Sequence, residues 1–361
     1  MRSSNSGLYA SPIELRHQLS SYNEFDPLRA VIVGSAVGSN HPEMDISMEN
    51  FFTPPQDEKI KKTAVGKIPQ IIVDEIQEDI AAFVQVLEQR GIEVLHPVPY
   101  DSSKEIQSPY WRSSQLYSLM PRDSFLVIGN VLLEVPSPTR ARYFETFPFR
   151  HISEAYSNRG ALFISAPRPL LFEEAFDVTT PSFLPEKEPL FDGANCVRLG
   201  KDIFIDINNS ANHLGYRWLQ RLSDHLSLGI TFHPMQLGED HADVTLVPIR
   251  PGVVLINPKK VIAERLPPQF KSWTKIIIQD LVEQPYGLSY PLASNEIGRN
   301  VLMLDHDTAI VEKHQTGLIK ELEKIKINVI PLQYRHGRTL GGAWHCITLD
   351  THREGSLESY F

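Results

Sequence analysis

Cysteine is scarce in this sequence, which has only two among its 361 residues, Cys196 and Cys346. Two cysteines are too few for the disulfide framework of a small secreted domain or for a cysteine-rich zinc site. Either cysteine is therefore free to act as a reactive thiol.

Long apolar runs are also missing. The first 20 residues, MRSSNSGLYASPIELRHQLS, do not contain the apolar core of a signal peptide. No stretch approaches the roughly 18 uninterrupted apolar residues that a membrane span requires. The sequence therefore predicts a cytoplasmic protein with no membrane contact, whose residues 1–21 form a flexible N-terminal segment.

Positive charge is the third deficit. The chain has 44 acidic residues against 35 Lys and Arg, a formal net charge of −9, and its basic residues are scattered. This balance excludes a typical nucleic-acid partner. With 42% hydrophobic and 22% charged residues, the composition is that of a globular protein with a large core.

Five stretches share one design, in which a polar residue leads into an apolar strand that often turns back as a hairpin. They begin near Asp123, Asp192, His241, Ser294 and Cys346. Turns are predicted at Gly129-Asn130, Gly200-Lys201 and Pro251-Gly252. Proline at such turns sets φ, and glycine supplies a positive φ.

Helix-then-strand segments lie between the hairpins. The clearest helix is predicted over residues 74–90, with one apolar face made by Ile76, Ile80, Phe83, Val84 and Leu87. Gly91 ends this helix. The chain is therefore interpreted as a β-β-α-β unit that recurs every roughly 50 to 70 residues.

The fifth unit, which begins near Cys346, has too few residues for a complete β-β-α-β unit. A single apolar strand over residues 30–33 has no hairpin partner nearby in the sequence. Pairing the two would close a ring and remove exposed sheet edges. The predicted fold class is α/β, a five-module ββαβ propeller with pseudo-fivefold symmetry and a single domain over residues 22–361. Such a ring brings the lead residues of the modules toward a common axis.

Two long segments, residues 34–69 and 176–190, are rich in Pro, Ser, Asn and acidic residues. Long loops in a compact domain are often lids or binding loops. A disordered surface is the alternative, and the sequence leaves both open.

Cys346 is the first candidate for chemistry. A free cysteine is most often an inert core residue, which is our interpretation of Cys196. Cys346, however, follows Gly341 and Gly342, which allow close backbone approach. Strand alternation predicts that its side chain lies on the face opposite His345.

His241 is the second candidate, because it opens a module and is flanked by Asp240 and Asp243. A cysteine nucleophile needs a base, and that base needs an orienting carboxylate. Asp192, which opens its own module in FDGAN, is suited to that role. An aspartate before glycine is also a common turn residue, so this alternative stays open.

An ordered set of motifs resembles the arginine amidinotransferases over about residues 22–361. These motifs are EFDPLRAVIVG, MPRD, YFE, APRPLLFEEAF, FDGAN, HADVTLVPIRPGVVLINP, NVLML and LGGAWHCITLDTHREGSLESYF. The family includes glycine amidinotransferase and inosamine-phosphate amidinotransferase. Its members adopt the five-module α/β propeller known as the pentein fold, which the resemblance therefore implies for this chain.

The resemblance also implies roles for individual residues. Cys346 corresponds to the nucleophile, His241 to the general acid and base, and Asp192 to the carboxylate that orients it. Asp123 and Asp243 match residues that hold the substrate guanidinium, a planar cation suited to carboxylate partners. The other residues assigned to substrate binding are Ser294, Arg122 of the MPRD motif, Lys260 and Asp240.

Two departures from the family pattern concern the substrate's amino-acid end. Ala293 stands where the glycine enzyme has a second serine, and Lys260 stands where members carry an arginine near the substrate carboxylate. The guanidinium of arginine can bind a carboxylate through two parallel hydrogen bonds, whereas the ammonium group of lysine is a compact point charge. Lys260 would therefore hold a carboxylate in a different geometry. Asp240 adds a carboxylate that favours a cationic acceptor if it faces the site.

The expected function is transfer of the amidino group of L-arginine, through an amidino-cysteine, to an acceptor amine with release of ornithine. Lysine is favoured over glycine as the acceptor, which would yield homoarginine. No metal or organic cofactor is expected. The expected partners are small-molecule substrates, and a homodimer is left open.

Two alternatives to this function remain open at the level of sequence. The first is an arginine hydrolase of the same superfamily, in which water replaces the acceptor. The second is a non-catalytic binding protein on the propeller fold.

Overall fold

The computed structural model describes residues 13–52, 57–177, 184–238, 241–261 and 264–361. Its strands are β1 (Leu28–Val33), β2 (Asn40–His41), β3 (Gly66–Lys67), β4 (Glu93–Leu95), β5 (Ile106–Gln107), β6 (Arg112–Ser113), β7 (Phe125–Ile128), β8 (Val131–Glu134), β9 (Leu162–Ser165), β10 (Cys196–Leu199), β11 (Asp202–Asp206), β12 (Thr231–Met235), β13 (Leu246–Arg250), β14 (Val253–Ile256), β15 (Thr274–Ile277), β16 (Leu302–Asp305), β17 (Thr308–Glu312), β18 (Asn328–Leu332) and β19 (Thr348–Arg353).

The α-helices are α1 (Ile46–Phe51), α2 (Glu58–Thr63), α3 (Gln70–Glu88), α4 (Pro121–Ser124), α5 (Arg150–Asn158), α6 (His213–Leu226), α7 (Thr316–Lys324) and α8 (Gly337–Leu340). Short 3₁₀ helices cover Arg140–Arg142, Phe147–Phe149, Glu173–Ala175, Gly193–Asn195, Ala242–Val244, Pro268–Ser272 and Asn295–Arg299. None of the helices in the described ranges is both long enough and apolar enough to cross a membrane.

Five three-stranded sheets in the described ranges share one topology. In each, the central strand pairs antiparallel with one neighbour and parallel with the other. The strand orders are β19-β1-β4, β7-β8-β9, β10-β11-β12, β13-β14-β15 and β16-β17-β18. Parallel strands need a crossover connection. The crossovers here contain α3, α5, α6, the 3₁₀ helix Pro268–Ser272 and α7.

The first sheet joins the two ends of the described chain. Strand β1 lies between β19 and β4, with Val31 opposite Asp350 on one side and Val94 on the other. The lone strand near the N-terminus therefore completes the last hairpin, as the sequence predicted.

Helix α3 packs through one apolar face. Ile72, Ile76, Ile80, Phe83 and Leu87 are buried in the core that also contains β1. The helix begins after Pro69, four residues before the predicted start, and the chain turns at Gly91 with φ +73°. The periodicity of the apolar residues thus identified this helix and its buried face.

The predicted tight turns are confirmed at three glycines. Gly129, Gly200 and Gly252 have φ values of +59°, +64° and +80°. Each lies between the two strands of an antiparallel hairpin. A side chain rarely adopts this left-handed region, so glycine is favoured there.

Buried charges connect segments that are far apart in the chain. Arg198 donates to both carboxylate oxygens of Glu24 at 2.8 Å and also to Asp350. Arg353 donates to Asp350 at 2.8 Å. Buried ions are tolerated when they are paired in this way, because each partner replaces lost hydration.

The N-terminal segment differs from the flexible segment predicted over residues 1–21. Residues 1–12 lie outside the described residues, but Leu15 and Leu19 are buried in a core with Ile32. The Ser20 N–H also donates to Thr351 O at 2.9 Å. The two leucines pack this segment against the core, which differs from the flexible segment expected for residues 13–21.

The two long segments have different outcomes. Residues 34–69 are not one structureless loop, because they contain α1, α2, β2 and β3. Asp45 caps α1 by accepting from Ser47 N and Met48 N. Residues 178–183 of the second segment lie outside the described residues.

Candidate active site

Segments that precede strands of different sheets meet at one place. They are α4 before β7, the 3₁₀ helices Gly193–Asn195 before β10, Ala242–Val244 before β13 and Asn295–Arg299 before β16, and the turn before β19. These segments carry Asp123, Asp192, His241, Ser294 and Cys346 at or beside them. The convergence of lead residues expected from the repeat is therefore present at these segments.

Cys346 lies in a turn rather than in a strand. Residues 344–347 form the turn, the Ile347 N–H donates to Ala343 O at 3.0 Å, and β19 begins only at Thr348. The prediction from strand alternation, which placed Cys346 opposite His345, was wrong. Because the backbone turns here, both side chains reach Asp243.

Asp243 is the centre of this contact set. Its Oδ2 accepts from His345 Nδ1 at 2.9 Å, from Asn300 Nδ2 at 3.0 Å and from Cys346 Sγ at 3.1 Å. Burial acts to raise the pKa of Asp243, but His345 and His241 hold that pKa below its usual value. Asp243 is thus a buried carboxylate in direct contact with the thiol.

The Cys346 thiol is protonated in this arrangement. Burial, Asp243 and Asp123 raise the pKa of Cys346 well above its ordinary value. The thiol therefore donates to Asp243 instead of carrying a second negative charge beside it. A positive charge that enters the site would lower the pKa of Cys346 and favour its ionisation.

His241 and Asp192 form a buried pair. His241 Nε2 lies 3.1 Å from Asp192 Oδ2, and His241 Nδ1 lies 3.6 Å from Asp123 Oδ1. Burial acts to lower the pKa of His241, but Asp123, Asp192 and Asp243 outweigh it and raise the pKa to about 9. The imidazolium form is therefore present at neutral pH, which suits a proton donor.

This raised pKa predicts a pH-dependent stability. The stabilisation from charged His241 is complete below its unfolded pKa of about 6.5 and is lost as the pH rises through about 9. We expect the free energy of unfolding to fall between these values, by about 1.4 kcal/mol per unit of pKa shift at most. Urea unfolding of the protein and of His241→Gln at several pH values measures this, and an equal fall in both would contradict it.

Asp123 is paired with a buried arginine. Arg142 Nη1 donates to Asp123 Oδ2 at 2.6 Å, and Arg142 Nη2 donates to the Tyr117 hydroxyl at 3.3 Å. Burial acts to lower the pKa of Arg142, but Asp123 and Glu145 raise it well above its usual value. Arg142 therefore stays charged and fixes Asp123 in place.

One oxygen of each aspartate lacks a hydrogen-bond donor among the described residues. These buried atoms are Asp123 Oδ1, Asp192 Oδ1 and Asp243 Oδ1. A buried acceptor without a donor is costly, so each of these oxygens would be stabilised by a ligand that donates to it. A planar cation with several N–H donors has the chemistry to satisfy such oxygens.

A cavity of about 270 Å³ lies over Cys346. Its lining includes Phe51, Phe52, His241, Asp243, Ala293, Ser294, Arg338 and Cys346. The Phe51 ring lies 5.0 Å from the His241 ring. Cys346, His241, Asp243 and Ser294 are thus brought to one cavity, with Asp192 and Asp123 in contact with His241.

Among the described residues assigned to substrate binding, Arg122 and Lys260 do not line this cavity. Arg122 is buried and donates to His345 O and Thr348 O at 3.0 Å, to Glu24 and to Asp350. Its donors hold the turn around Cys346, so it differs from the expected substrate contact. Lys260 lines a separate cavity of about 1010 Å³. Asp240 lies outside the described residues.

Asn300 is a site residue that sequence analysis missed. Its Oδ1 accepts from the backbone N–H groups of His345 and Cys346 at 2.8 and 3.1 Å. Its Nδ2 lies 3.2 Å from Cys346 Sγ. Its position directly before an apolar strand, which is shared by the lead residues of the modules, was an available signal.

Arg142 was also missed, although it lies directly before the YFE motif. As for metals, the described residues contain no group of three or more His, Cys, Asp and Glu side chains that could hold an ion.

Comparison with known proteins finds relatives over nearly the whole chain. The chain is 37% identical over 348 residues to inosamine-phosphate amidinotransferase 1 of Streptomyces glaucescens, covering 95% of this chain and 99% of the relative. It is 34% identical over 359 residues to the L-arginine:L-lysine amidinotransferase of Pseudomonas savastanoi pv. phaseolicola, covering 94% and 96%. No family model matches the chain.

Solved structures show the same similarity. Inosamine-phosphate amidinotransferase from Streptomyces griseus superimposes with a TM-score of 0.91 at 36% identity, covering 96% of this chain and 99% of that structure. Dimethylarginine dimethylaminohydrolase from Pseudomonas aeruginosa superimposes with a TM-score of 0.58 at 12% identity, covering 90% and 99%. The second likeness concerns the fold alone.

Proposed function

The chain belongs to the amidinotransferase family and has the pentein fold, and from this premise we propose that it moves the amidino group of L-arginine through Cys346 to an acceptor amine. The observation that carries the proposal is the contact of the Cys346 thiol with Asp243, beside the His241–Asp192 pair. This arrangement joins a nucleophile, a proton donor and a site for a cation.

Binding of arginine activates the thiol in this proposal. The guanidinium donates to the free oxygens of Asp123 and Asp243, and its positive charge offsets the carboxylates that raise the pKa of Cys346. His241 is already protonated, so the thiol gives its proton to solvent in the cavity. The thiolate then attacks the guanidinium carbon, and a C–S bond forms as the C=N π pair moves onto nitrogen. The charge needed for ionisation therefore comes with the substrate.

His241 completes the first half of the reaction. Its imidazolium gives a proton to the substituted nitrogen of the tetrahedral intermediate, the C–N bond breaks, and ornithine leaves. A cationic amidino group remains on Cys346, and His241 is left neutral. Asp192 keeps the imidazole in the orientation that this transfer needs.

The second half reverses these roles. Neutral His241 takes a proton from the acceptor amine, whose nitrogen forms a bond to the amidino carbon. The C–S bond then breaks and releases the new guanidine, with Cys346 as a thiolate and His241 as an imidazolium. When the cationic product leaves, Cys346 regains a proton from solvent and the resting thiol is restored. This is a ping-pong cycle that uses the chain's own side chains as acid, base and nucleophile.

We favour lysine over glycine as the acceptor, which would make homoarginine the product. A relative with 34% identity is named L-arginine:L-lysine amidinotransferase, which supports this choice. Charge supports it as well, since carboxylates surround Cys346 and Asp240 adds another near His241 in the chain. A second positive charge on the acceptor is attracted to such a site.

The acceptor is tested with arginine and a panel of amines, with products identified by mass. We expect a higher kcat/KM for lysine than for glycine, and a smaller difference in Asp240→Asn because an attracting charge is removed. Preference for glycine, or a lysine preference unchanged in Asp240→Asn, would refute the choice of lysine. Ornithine and a hydrolysis product formed without any amine would instead indicate the hydrolase.

We further propose that residues 22–361 form a single domain in which the five sheets surround a common axis. The shared sheet topology and the β1–β19 pairing support this arrangement. A cytoplasmic location and a role in the biosynthesis of a guanidino compound also stay predictions from the sequence.

A further inference from the structure

The charge of the cavity is uneven. Around Cys346 the charge is negative, because Asp243 in the lining contacts the thiol, and Asp123 and Asp192, behind the lining, contact His241. Arginine is a zwitterion in its amino-acid part, and its α-carboxylate is repelled by these carboxylates. An amino-acid substrate therefore needs a cation elsewhere in the cavity wall.

Among the described residues that line the cavity, the basic side chains are His241 and Arg338. His241 is already paired with Asp192 and lies beside Asp123. The ion pair of Arg338 within the described residues is with Glu283, not with the catalytic carboxylates. Arg338 is thus the lining cation that stands apart from the reacting groups.

The backbone holds the Arg338 side chain in place. Its Nη1 donates to Gln284 O at 2.8 Å, and its guanidinium lies 5.2 Å from the Tyr286 ring centroid. Arg338 O also accepts from the N–H groups of Leu292 and Ala293, which belong to the same cavity wall. A guanidinium fixed in this way loses little freedom when it binds a ligand.

Arg338 also retains binding capacity. Its Nη2 has no hydrogen-bond partner among the described residues, while Nη1 contacts Glu283 Oε1 at 3.2 Å. The Glu283 side chain is 82% exposed. An exposed ion pair of this kind is weak, so it competes little with a ligand carboxylate.

We propose that Arg338, rather than Lys260, binds the α-carboxylate of the amidino donor; this inference rests on the function proposed above. Lys260 lines the other cavity. The donor then spans the site from its carboxylate at Arg338 to its guanidinium at Asp123 and Asp243. Amino acids with a free α-carboxylate are the class of substrate that this arrangement selects.

The test compares arginine with agmatine, which is arginine without its carboxylate. In Arg338→Ala we expect kcat/KM for arginine to fall about 10-fold to 100-fold, the range for a lost charged hydrogen bond. Agmatine should change little, because it lacks the group that Arg338 binds. Lys260→Ala and Glu283→Gln are the matched controls, and both should retain the preference for arginine.

Equal losses for both donors in Arg338→Ala, or loss of the preference in Lys260→Ala instead, would overturn the proposal. Retained agmatine turnover shows that Arg338→Ala is folded, and Arg338→Lys, which keeps a point charge, should restore part of the preference. Calorimetry of ornithine and putrescine binding provides a readout that is independent of transfer. If no variant forms amidino-Cys346 but ornithine binding still depends on Arg338, then the proposed function fails and this inference stands.

Discussion

Cys346→Ser is expected to abolish turnover, by about 10⁴-fold or more, while the protein stays folded. A serine hydroxyl ionises far less readily than a thiol, and the same carboxylates that raise the pKa of Cys346 would oppose its ionisation further. The substitution preserves the size of the side chain and leaves Asn300 and Asp243 in place. The loss should therefore be chemical rather than structural.

Mass spectrometry of the intact protein and of its peptides after incubation with arginine measures this directly. The protein should gain an amidino group on the peptide that contains Cys346, and Cys346→Ser should gain none. Cys196→Ser is the matched control, because Cys196 is buried in a different core with Ile203 and Phe232. An amidino group on Cys196, or substantial turnover by Cys346→Ser, would show that another residue is the nucleophile.

Asp192→Asn should lower kcat by about 10²-fold to 10⁴-fold, as for orienting carboxylates in other catalytic triads. Asp192 contacts His241 Nε2 at 3.1 Å, and it helps to raise the pKa of that histidine. An amide in its place cannot stabilise the imidazolium, so proton transfer to ornithine is slowed. Steady-state kinetics with a near-normal kcat would remove Asp192 from the mechanism.

Asp243→Asn is the informative comparison for that variant. Asp243 lines the cavity and contacts the thiol, so its loss should chiefly raise KM for arginine. The two substitutions make the same chemical change at a carboxylate that contacts His241 and at one that contacts the Cys346 thiol. A fall mainly in kcat for Asp192→Asn and a rise mainly in KM for Asp243→Asn would distinguish orientation of the histidine from binding of the guanidinium.

The clustering of Cys346, His241 and Asp192 could be predicted from the sequence because each opens a module. The segments that carry them meet in the structure, while their catalytic roles stay predictions. The alternation rule failed at Cys346 because it assumes an extended strand, whereas residues 344–347 turn. Local geometry of this kind depends on Asn300, 46 positions away, which holds the turn through two backbone N–H groups.

Arg122 and Arg338 illustrate a second limit of prediction. Arg122 lies in the MPRD motif, and Arg338 lies two residues before LGGAWHC. The guanidinium of Arg122 donates to buried carbonyl and carboxylate groups, whereas Arg338 lines the cavity. The difference depends on which carbonyl and carboxylate groups surround each guanidinium. Those partners come from distant segments, so residue type and spacing alone do not distinguish the two.

The pairing of β1 with β19 has a consequence for synthesis on the ribosome. Arg29, in β1, is bonded to Glu354, which is 325 positions later in the chain. Strand β1 therefore leaves the ribosome long before β19 is synthesised. During translation, the edge of β1 that pairs with β19 is unpaired. A contact of such long range forms late and slowly. Since Cys346 lies two residues before β19, the nascent chain acquires this thiol and the antiparallel partner of β1 at nearly the same time.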